Sequence, residues 1–477
     1  MEKKSILKNS IFNIIYKGFT ALFPLITTTY IARTLLPEAG GKVSYANTIA
    51  TYFVTVAALG LPNYGVKKIA QSRKSRQDRS QTFFELYCIN IVSTLICIAA
   101  YYLFINLNGY FADRRALFNV MGSLLVLNLF NIDWFYQGIE EYGYIAFRSI
   151  IIKIASFVAM LLFVHSPSDY LIYAVILCVA TAGNYILNVI NVRKYIDITF
   201  QGLKIRQHLR PVFVLLASTM ATEVYTALDT IMLEYIHGEI YVGYYSNVVK
   251  IVRMVYTVVI AMVAPFYPRI SLLIKEKNYD QSNHLLSNGF RAVAVIGIPT
   301  VVGLFLVAEQ IVYVLFGVEY TPSIPTLRIL SILVMVFSIA YLLGHLVLMA
   351  SSQENTILKA TICGAIVNAC LNSLLIPNFK QDGAAIASVI AEITVTSILI
   401  HQAKKHFKLY IERKFWITIA LACVVMGGSV ILIESFVSST VLSLIASIAV
   451  GALSYFIILL ITQNGFVVGA LNKLRKR

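Results

Sequence analysis

The chain has 477 residues, of which 58% are hydrophobic and only 13% charged, and its mean hydropathy is +0.76. Soluble globular chains carry about a quarter charged residues, so this balance excludes one and marks a polytopic membrane protein. The formal net charge of +16 invites a nucleic-acid partner, but the distribution of the charge rejects it.

Apolar windows of roughly 18–25 residues, the length that crosses a hydrocarbon core as a helix, recur fourteen times along the chain. They predict spans over 11–32, 43–63, 83–106, 116–136, 145–164, 171–190, 212–233, 246–267, 290–308, 326–349, 357–376, 383–401, 416–434 and 441–462. The runs are continuously apolar rather than alternating in strips of about ten residues, which predicts helices and not a barrel. The first run contains Lys17 and no small-residue cleavage site follows it, so no cleavable signal peptide is expected.

With the N-terminus taken as cytoplasmic, the loops sort by charge. Inside segments hold 26 of the 39 Lys and Arg residues, including the stretches Lys67–Arg79, Arg193–Arg210 and Lys404–Lys414. Outside loops hold five: Arg33, Lys42, Arg114, Arg115 and Lys380. This is the positive-inside asymmetry, and it predicts that both termini are cytoplasmic. The basicity is thus a topology signal.

The remaining eight cations lie inside or at the mouths of spans: Lys17, Arg148, Lys153, Lys250, Arg253, Arg291, Arg328 and Lys359. A Lys or Arg at mid-bilayer costs roughly 2.5–3.5 kcal/mol on insertion scales, so it is kept with a partner or in water. Arg291 and Arg328 are read as helix-end residues that snorkel. Arg148 and Lys359 can snorkel or act. Lys17, Lys153, Lys250 and Arg253 are harder to place at an end. They either form salt bridges, with Asp133, Glu223, Asp229 or Glu392 as candidates, or line a path for an anion. An excess of cations suits a phosphate or pyrophosphate, held by charge-assisted hydrogen bonds.

A shift of 202 residues lays span 7 on span 1 and span 8 on span 2, matching Thr20 to Thr222, Thr28 to Thr230, Gly41 to Gly243 and Ser44 to Ser246. Six spans per repeat give both halves one orientation. The expected organisation is an N-terminal six-helix lobe over 1–200, a C-terminal six-helix lobe over 201–402, and a further two-helix hairpin with a basic cytoplasmic tail over 403–477. Transporter sites lie between such repeats near the midplane. Polar residues in span 1 (Asn13, Lys17, Thr20, Thr27) and span 7 (Thr219, Thr222, Glu223, Thr226, Asp229) recur at helical spacing, and such stripes must face protein or water. The six cysteines fall in spans without a C-x-x-C pair and read as packing residues, with no metal site expected. Every loop is short and carries no Asp-x-Asp or His-rich cluster, so no catalytic residues, cofactor or enzymatic activity are expected.

Span 4 runs into Asp133-Trp134-Phe135-Tyr136-Gln137-Gly138-Ile139-Glu140-Glu141. This block resembles a hallmark of the Wzx-type oligosaccharide repeat-unit flippases of the multidrug/oligosaccharidyl-lipid/polysaccharide exporter superfamily. A second block agrees: Asn368, Leu371-Asn372, Leu375-Ile376-Pro377, Gly383 through Ala387, and Glu392. So do Asn9 through Arg33, Gly60-Leu61 and Tyr64-Gly65.

The resemblance implies a bacterial cytoplasmic-membrane protein with two six-helix lobes around a central cavity and a C-terminal helix pair. It implies movement of undecaprenyl-pyrophosphate-linked oligosaccharide across the bilayer for O-antigen, capsule or exopolysaccharide assembly, with a polymerase and assembly proteins as partners and a proton or sodium counter-ion. Lys17, Arg148, Lys153, Lys250 and Arg253 would then attract pyrophosphate and anionic sugars. Asn13, Thr20, Thr222, Asn368 and Asn372 would bind glycan hydroxyls. Asp133, Glu223, Asp229 and Glu392 would couple an ion or form cavity salt bridges, and Asp133 and Glu140 could equally hold span 4 in place. The alternatives are a peptidoglycan lipid-precursor flippase or a multidrug/cation antiporter of the same superfamily. The excess of cations suits a cationic drug poorly.

Overall fold

The computed structural model describes residues 6–199, 202–261, 263, 266–276, 278–349, 351, 353–405 and 407–469, with side chains from residue 23 onward. For some helical residues, Thr222 and Thr226 among them, only the backbone is described. All regular elements among the described residues are helical. They are α1 (Ile6–Ala58), α2 (Leu61–Gln71), α3 (Arg76–Leu107), α4 (Arg115–Asn128), α5 (Asp133–Gly138), α6 (Tyr142–Phe163), α7 (Tyr170–Val192) and α8 (Arg206–His237). Then follow α9 (Glu239–Ala261), α10 (Phe266–Lys275), α11 (Tyr279–Leu306), α12 (Ala308–Leu315), α13 (Ser323–Tyr341), α14 (Glu354–Ala403), α15 (Arg413–Phe436) and α16 (Thr440–Ile461). Nine stretches among the described residues are long and apolar enough to cross a membrane.

Two helices are far longer than one crossing. At 1.5 Å per residue, the 53 residues of α1 would make a rod of about 80 Å against a hydrocarbon core of about 30 Å. Each is broken by one left-handed residue, Leu36 (φ 61°) in α1 and Lys380 (φ 53°) in α14, so each supplies two of the expected spans. Leu36 lies 202 residues before Gly238 (φ 88°), the left-handed residue that separates α8 from α9. The offset read from the sequence thus joins two turns of the same kind.

The chain divides into two compact units, Met1–Glu234 and Tyr235–Arg477. Apolar helices α1 and α9 are each followed by a short amphipathic helix, α2 or α10, that the hydropathy reading absorbed into a span or loop. α2 buries Leu61, Tyr64, Gly65 and Ile69, a spacing that keeps one helical face toward protein. Span 4 also differs from its expected form, because α4 stops at Asn128 and α5 restarts at Asp133. The Asn90 side chain donates to the Asn128 carbonyl (2.9 Å), and the Asn128 amide donates to Thr94 Oγ1 (2.9 Å). These side chains take up groups that a continuing helix would use.

In the first unit the central core joins Leu61, Ile69, Phe83, Leu86, Trp134, Phe135, Tyr136 and Val212. In the second, Phe415, Ile419, Cys423, Met426, Tyr455 and Leu459 of the α15–α16 hairpin pack with Ala294 and Val295 of α11. Tyr455 closes that contact by donating to the Val295 carbonyl (2.8 Å). The opposite faces of the hairpin expose Val424, Ile431, Leu442, Ile445 and Leu453, apolar surface suited to lipid.

Candidate functional site

The Asp133–Glu141 block is a packing device with a half-buried charge at its start. Trp134, Phe135 and Tyr136 are buried, and α2 and α5 approach so closely that only glycine fits between them. A Cβ on Gly65 would lie 2.6 Å from Trp134 Cε3, and one on Gly138 would lie 2.7 Å from Ile69 Cβ. Tyr136 donates to the Asn188 carbonyl (2.6 Å), and Arg73 pairs with Glu140 (2.6 Å).

Arg148 of α6 is buried against this block. Its Nη2 pairs with Asp133 Oδ1 (3.1 Å), Nε donates to Asn184 Oδ1 (3.0 Å), and Nη1 donates to Asn188 Oδ1. Asn188 donates in turn to Asp133 Oδ1 (2.5 Å). Tyr144 lies beneath the guanidinium, 5.6 Å from ring centroid to Cζ. Two of the expected site residues, Arg148 and Asp133, are therefore brought together as partners. Lys153 lies five residues further along α6, on a different face by helical geometry. It is half-buried, and its ammonium has no hydrogen-bond or ion-pair partner among the described residues.

In the second unit α9 buries Val242, Gly243, Tyr244, Tyr245, Asn247, Val248, Ile251 and Val252. Lys250 and Arg253 project from the opposite, exposed face, three residues apart and hence neighbours on the helix surface. Lys250 Nζ donates to Asn247 Oδ1 (3.2 Å), whose amide donates to the Tyr320 hydroxyl (3.0 Å). The structure thus places both cations on an exposed face of α9.

The remaining expected residues sit differently. Asn368 and Asn372 of α14 have no exposed surface. Asn372 donates to Asn368 Oδ1 (3.1 Å) within a network that includes Ser388 and Tyr245. Glu392 and Asp229 are also buried, and Glu223 is half-buried. The side chains of Asn13, Lys17, Thr20 and Thr222 lie outside the described residues. Of the helix-end cations, Arg291 donates to the Tyr410 carbonyl (2.8 Å), Arg328 lies over the Phe305 ring (5.7 Å), and Lys359 is exposed.

Two polar clusters were not anticipated. Glu234, buried near the end of α8, pairs with Arg114 (2.5 Å) and accepts from the Tyr110 hydroxyl. Burial, with the hydrogen bond to Glu234, pushes the Tyr110 phenol up to about 12, so it remains a donor at any physiological pH. Glu85 of α3 and His208 of α8 meet at 2.7 Å, and the far ring nitrogen of His208 meets the Tyr64 hydroxyl at 2.9 Å. The one signal available in the sequence was a carboxylate at the mouth of an apolar span. The partners lie 123 residues apart, beyond any spacing rule.

Comparison with known proteins agrees with this architecture. A family model described as "Polysaccharide biosynthesis protein" matches residues 6–274. The chain is 25% identical over 401 residues to a "Putative O-antigen transporter" of Escherichia coli K12, covering 83% of this chain and 96% of that protein. It is 23% identical over 246 residues to a "Probable low-salt glycan biosynthesis flippase Agl15" of Haloferax volcanii, covering 50% and 51%. Its fold is similar to that of the lipid II flippase MurJ in an inward closed conformation, with a TM-score of 0.80 at 16% identity over 97% of this chain and 100% of that one. An inward-facing multidrug resistance MATE transporter of the MOP superfamily gives a TM-score of 0.66 at 15% identity over 83% and 97%. The family match spans more than half of the chain, and the fold is that of polytopic transporters: this chain belongs to the polysaccharide biosynthesis protein family.

Proposed function

We propose that the protein is a flippase that carries undecaprenyl-pyrophosphate-linked oligosaccharide repeat units across the cytoplasmic membrane for assembly of a surface polysaccharide. The observation that carries this reading is the Lys250–Arg253 pair, two cations on the exposed face of α9. Facing hydrocarbon, each would cost roughly 2.5–3.5 kcal/mol. Facing a hydrated path, they offer a pyrophosphate the fork of a guanidinium and a mobile ammonium. Lys153, half-buried with no partner among the described residues, supplies a further cation, and Lys17 a fourth.

Similarity to an O-antigen transporter over 83% of the chain supports a glycan as the cargo. Sugars need a hydrogen-bonding path, for which Asn13, Thr20 and Thr222 stand on the striped helices, while the polyprenyl tail stays in lipid. Asn368 and Asn372 act by holding the helices that frame the path, and Arg148 by its pairing with Asp133. Movement is driven by an ion gradient, with Glu223, Asp229 and Glu392 among the acidic groups in reach of the spans. The loop charges set both termini on the cytoplasmic side. The protein carries out no covalent chemistry on the glycan and hands its cargo to a polymerase outside.

The test is complementation of a bacterial strain that lacks its own repeat-unit flippase and makes the matching lipid-linked glycan. The wild-type gene restores surface polysaccharide. The K250A/R253A variant inserts normally and restores none, and normal polysaccharide from it would defeat the assignment.

A further inference from the structure

The flippase reading leaves open where an ion gradient acts. Carboxylates in the first unit have ion-pair partners that differ in kind. Asp133 faces Arg148 and Glu234 faces Arg114, and a guanidinium keeps its charge at every physiological pH. Glu85 faces His208, whose side chain type changes charge between about pH 5 and 8. Both members of that pair are buried, His208 at 2% exposure and Glu85 at 3%.

The hydrogen bonds fix the protonation pattern. Glu85 Oε1 accepts from the Lys204 backbone N–H (2.7 Å) and the Gln81 amide (3.0 Å). Oε2 faces His208 Nε2 (2.7 Å) and accepts from the Gln207 amide (3.4 Å). A carboxylate surrounded by donors is ionised and can only accept, so Nε2 carries a hydrogen. Nδ1 of the neutral ring then accepts from the Tyr64 hydroxyl (2.9 Å). A proton added at Nδ1 turns that nitrogen into a donor, and the Tyr64 oxygen must rotate to accept it. The Glu85 carboxylate favours this step, and the basic groups around the cluster oppose it. Lys68 lies over the Tyr64 ring at 5.7 Å, Lys204 contributes its backbone N–H, and the side chains of Lys204, Arg206 and Arg210 are exposed. Proton uptake therefore converts a buried lone carboxylate charge into a neutral ion pair.

We propose that His208, held between Glu85 and Tyr64, is the proton-binding residue through which a proton gradient acts on glycolipid movement. The site rests on the flippase reading and lies where a change of charge can be transmitted. Tyr64 belongs to α2, Glu85 to α3, and His208 to the first turn of α8. The turn that leads into α2 touches α8, since a Cβ on Gly60 would meet Leu215 Cβ at 2.4 Å. The same α8 carries the polar stripe of Glu223 and Asp229. Reversing the Tyr64–His208 bond changes the hold of α2 on the inner end of that helix, while the Glu85–His208 contact tightens.

The experiment uses the purified full-length protein in liposomes, with fluorescently labelled undecaprenyl-pyrophosphate-linked oligosaccharide as probe. The readout is the ratio of translocation rates with and without an imposed pH gradient at zero membrane potential. Wild type gives a ratio of several-fold, as does a control variant, Arg76→Gln, whose exposed pair with Asp197 lies outside the site. His208→Gln keeps an amide donor for Glu85 and an oxygen for Tyr64, and its ratio falls to one. A wild-type-like ratio in His208→Gln, or a wild-type ratio of one, overturns the proposal and leaves the flippase reading standing. Wild type that moves no probe in either arm overturns the flippase reading itself. If His208→Gln does not survive purification, Tyr64→Phe decides. Tyr64 bonds both forms of the ring, but its bond to the protonated form is charge-assisted and the stronger of the two, so its loss lowers the pH of half-maximal stimulation by roughly half a unit to one unit, and an unmoved midpoint overturns the proposal.

Discussion

Arg148 and Lys153 show how differently two cations on one helix can be used. Arg148 is enclosed by Asp133, Asn184 and Asn188, whereas Lys153 has no such partner among the described residues. Removing one member of a buried ion pair costs about 3–5 kcal/mol because the other charge is stranded. The Asp133 side chain is 36% exposed, so Arg148→Ala is expected near the low end, about 3 kcal/mol. Lys153→Ala should leave thermal unfolding of the purified protein nearly unchanged while reducing glycan transport. Equal thermal shifts for the two variants would contradict this division. The sequence offers Asp133 as a salt-bridge partner for the intramembrane cations but does not single out Arg148. Fifteen residues separate the two, and the break between α4 and α6 that brings them together depends on Asn90 and Thr94 from α3. Lys250 and Arg253 were legible because their three-residue spacing lies within a single helix.

At the scale of elements, apolar length located the spans, but turns and short amphipathic helices needed tertiary information. α2 was invisible to a hydropathy window because its 11 residues mix buried Leu61, Tyr64 and Ile69 with Lys67 and Lys68. The tight α2–α5 contact explains Gly65 and Gly138, both in stretches that carried the family resemblance. Gly65→Ala should strain that contact by about 1–3 kcal/mol, the usual cost of overpacking. Gly143→Ala, with nothing within 4 Å of the added Cβ, should be neutral or slightly stabilising in the same thermal measurement. Gly238→Ala separates conformation from packing. Its Cβ meets nothing within 4 Å, yet φ is +88°, so a loss of about 1–2 kcal/mol is expected from the backbone alone. No loss at Gly238 would show that the α8–α9 turn does not require a left-handed residue.

For the whole molecule, under the proposed function, most of the +16 charge marks topology, and the cations within the spans serve transport and architecture. Composition made the membrane class and helical content legible. Buried partners such as Glu85 with His208 were not, because long-range pairing leaves no periodic trace in a sequence dominated by apolar helices. The account turns on the claim that Lys250 and Arg253 serve an anionic lipid-linked glycan. Its most direct test is translocation of labelled undecaprenyl-pyrophosphate-linked oligosaccharide in proteoliposomes, comparing wild type with K250A/R253A at equal protein incorporation. The account predicts rapid loss of inner-leaflet label with wild type and a rate at the protein-free background with the double variant. Undiminished translocation by the double variant would contradict it.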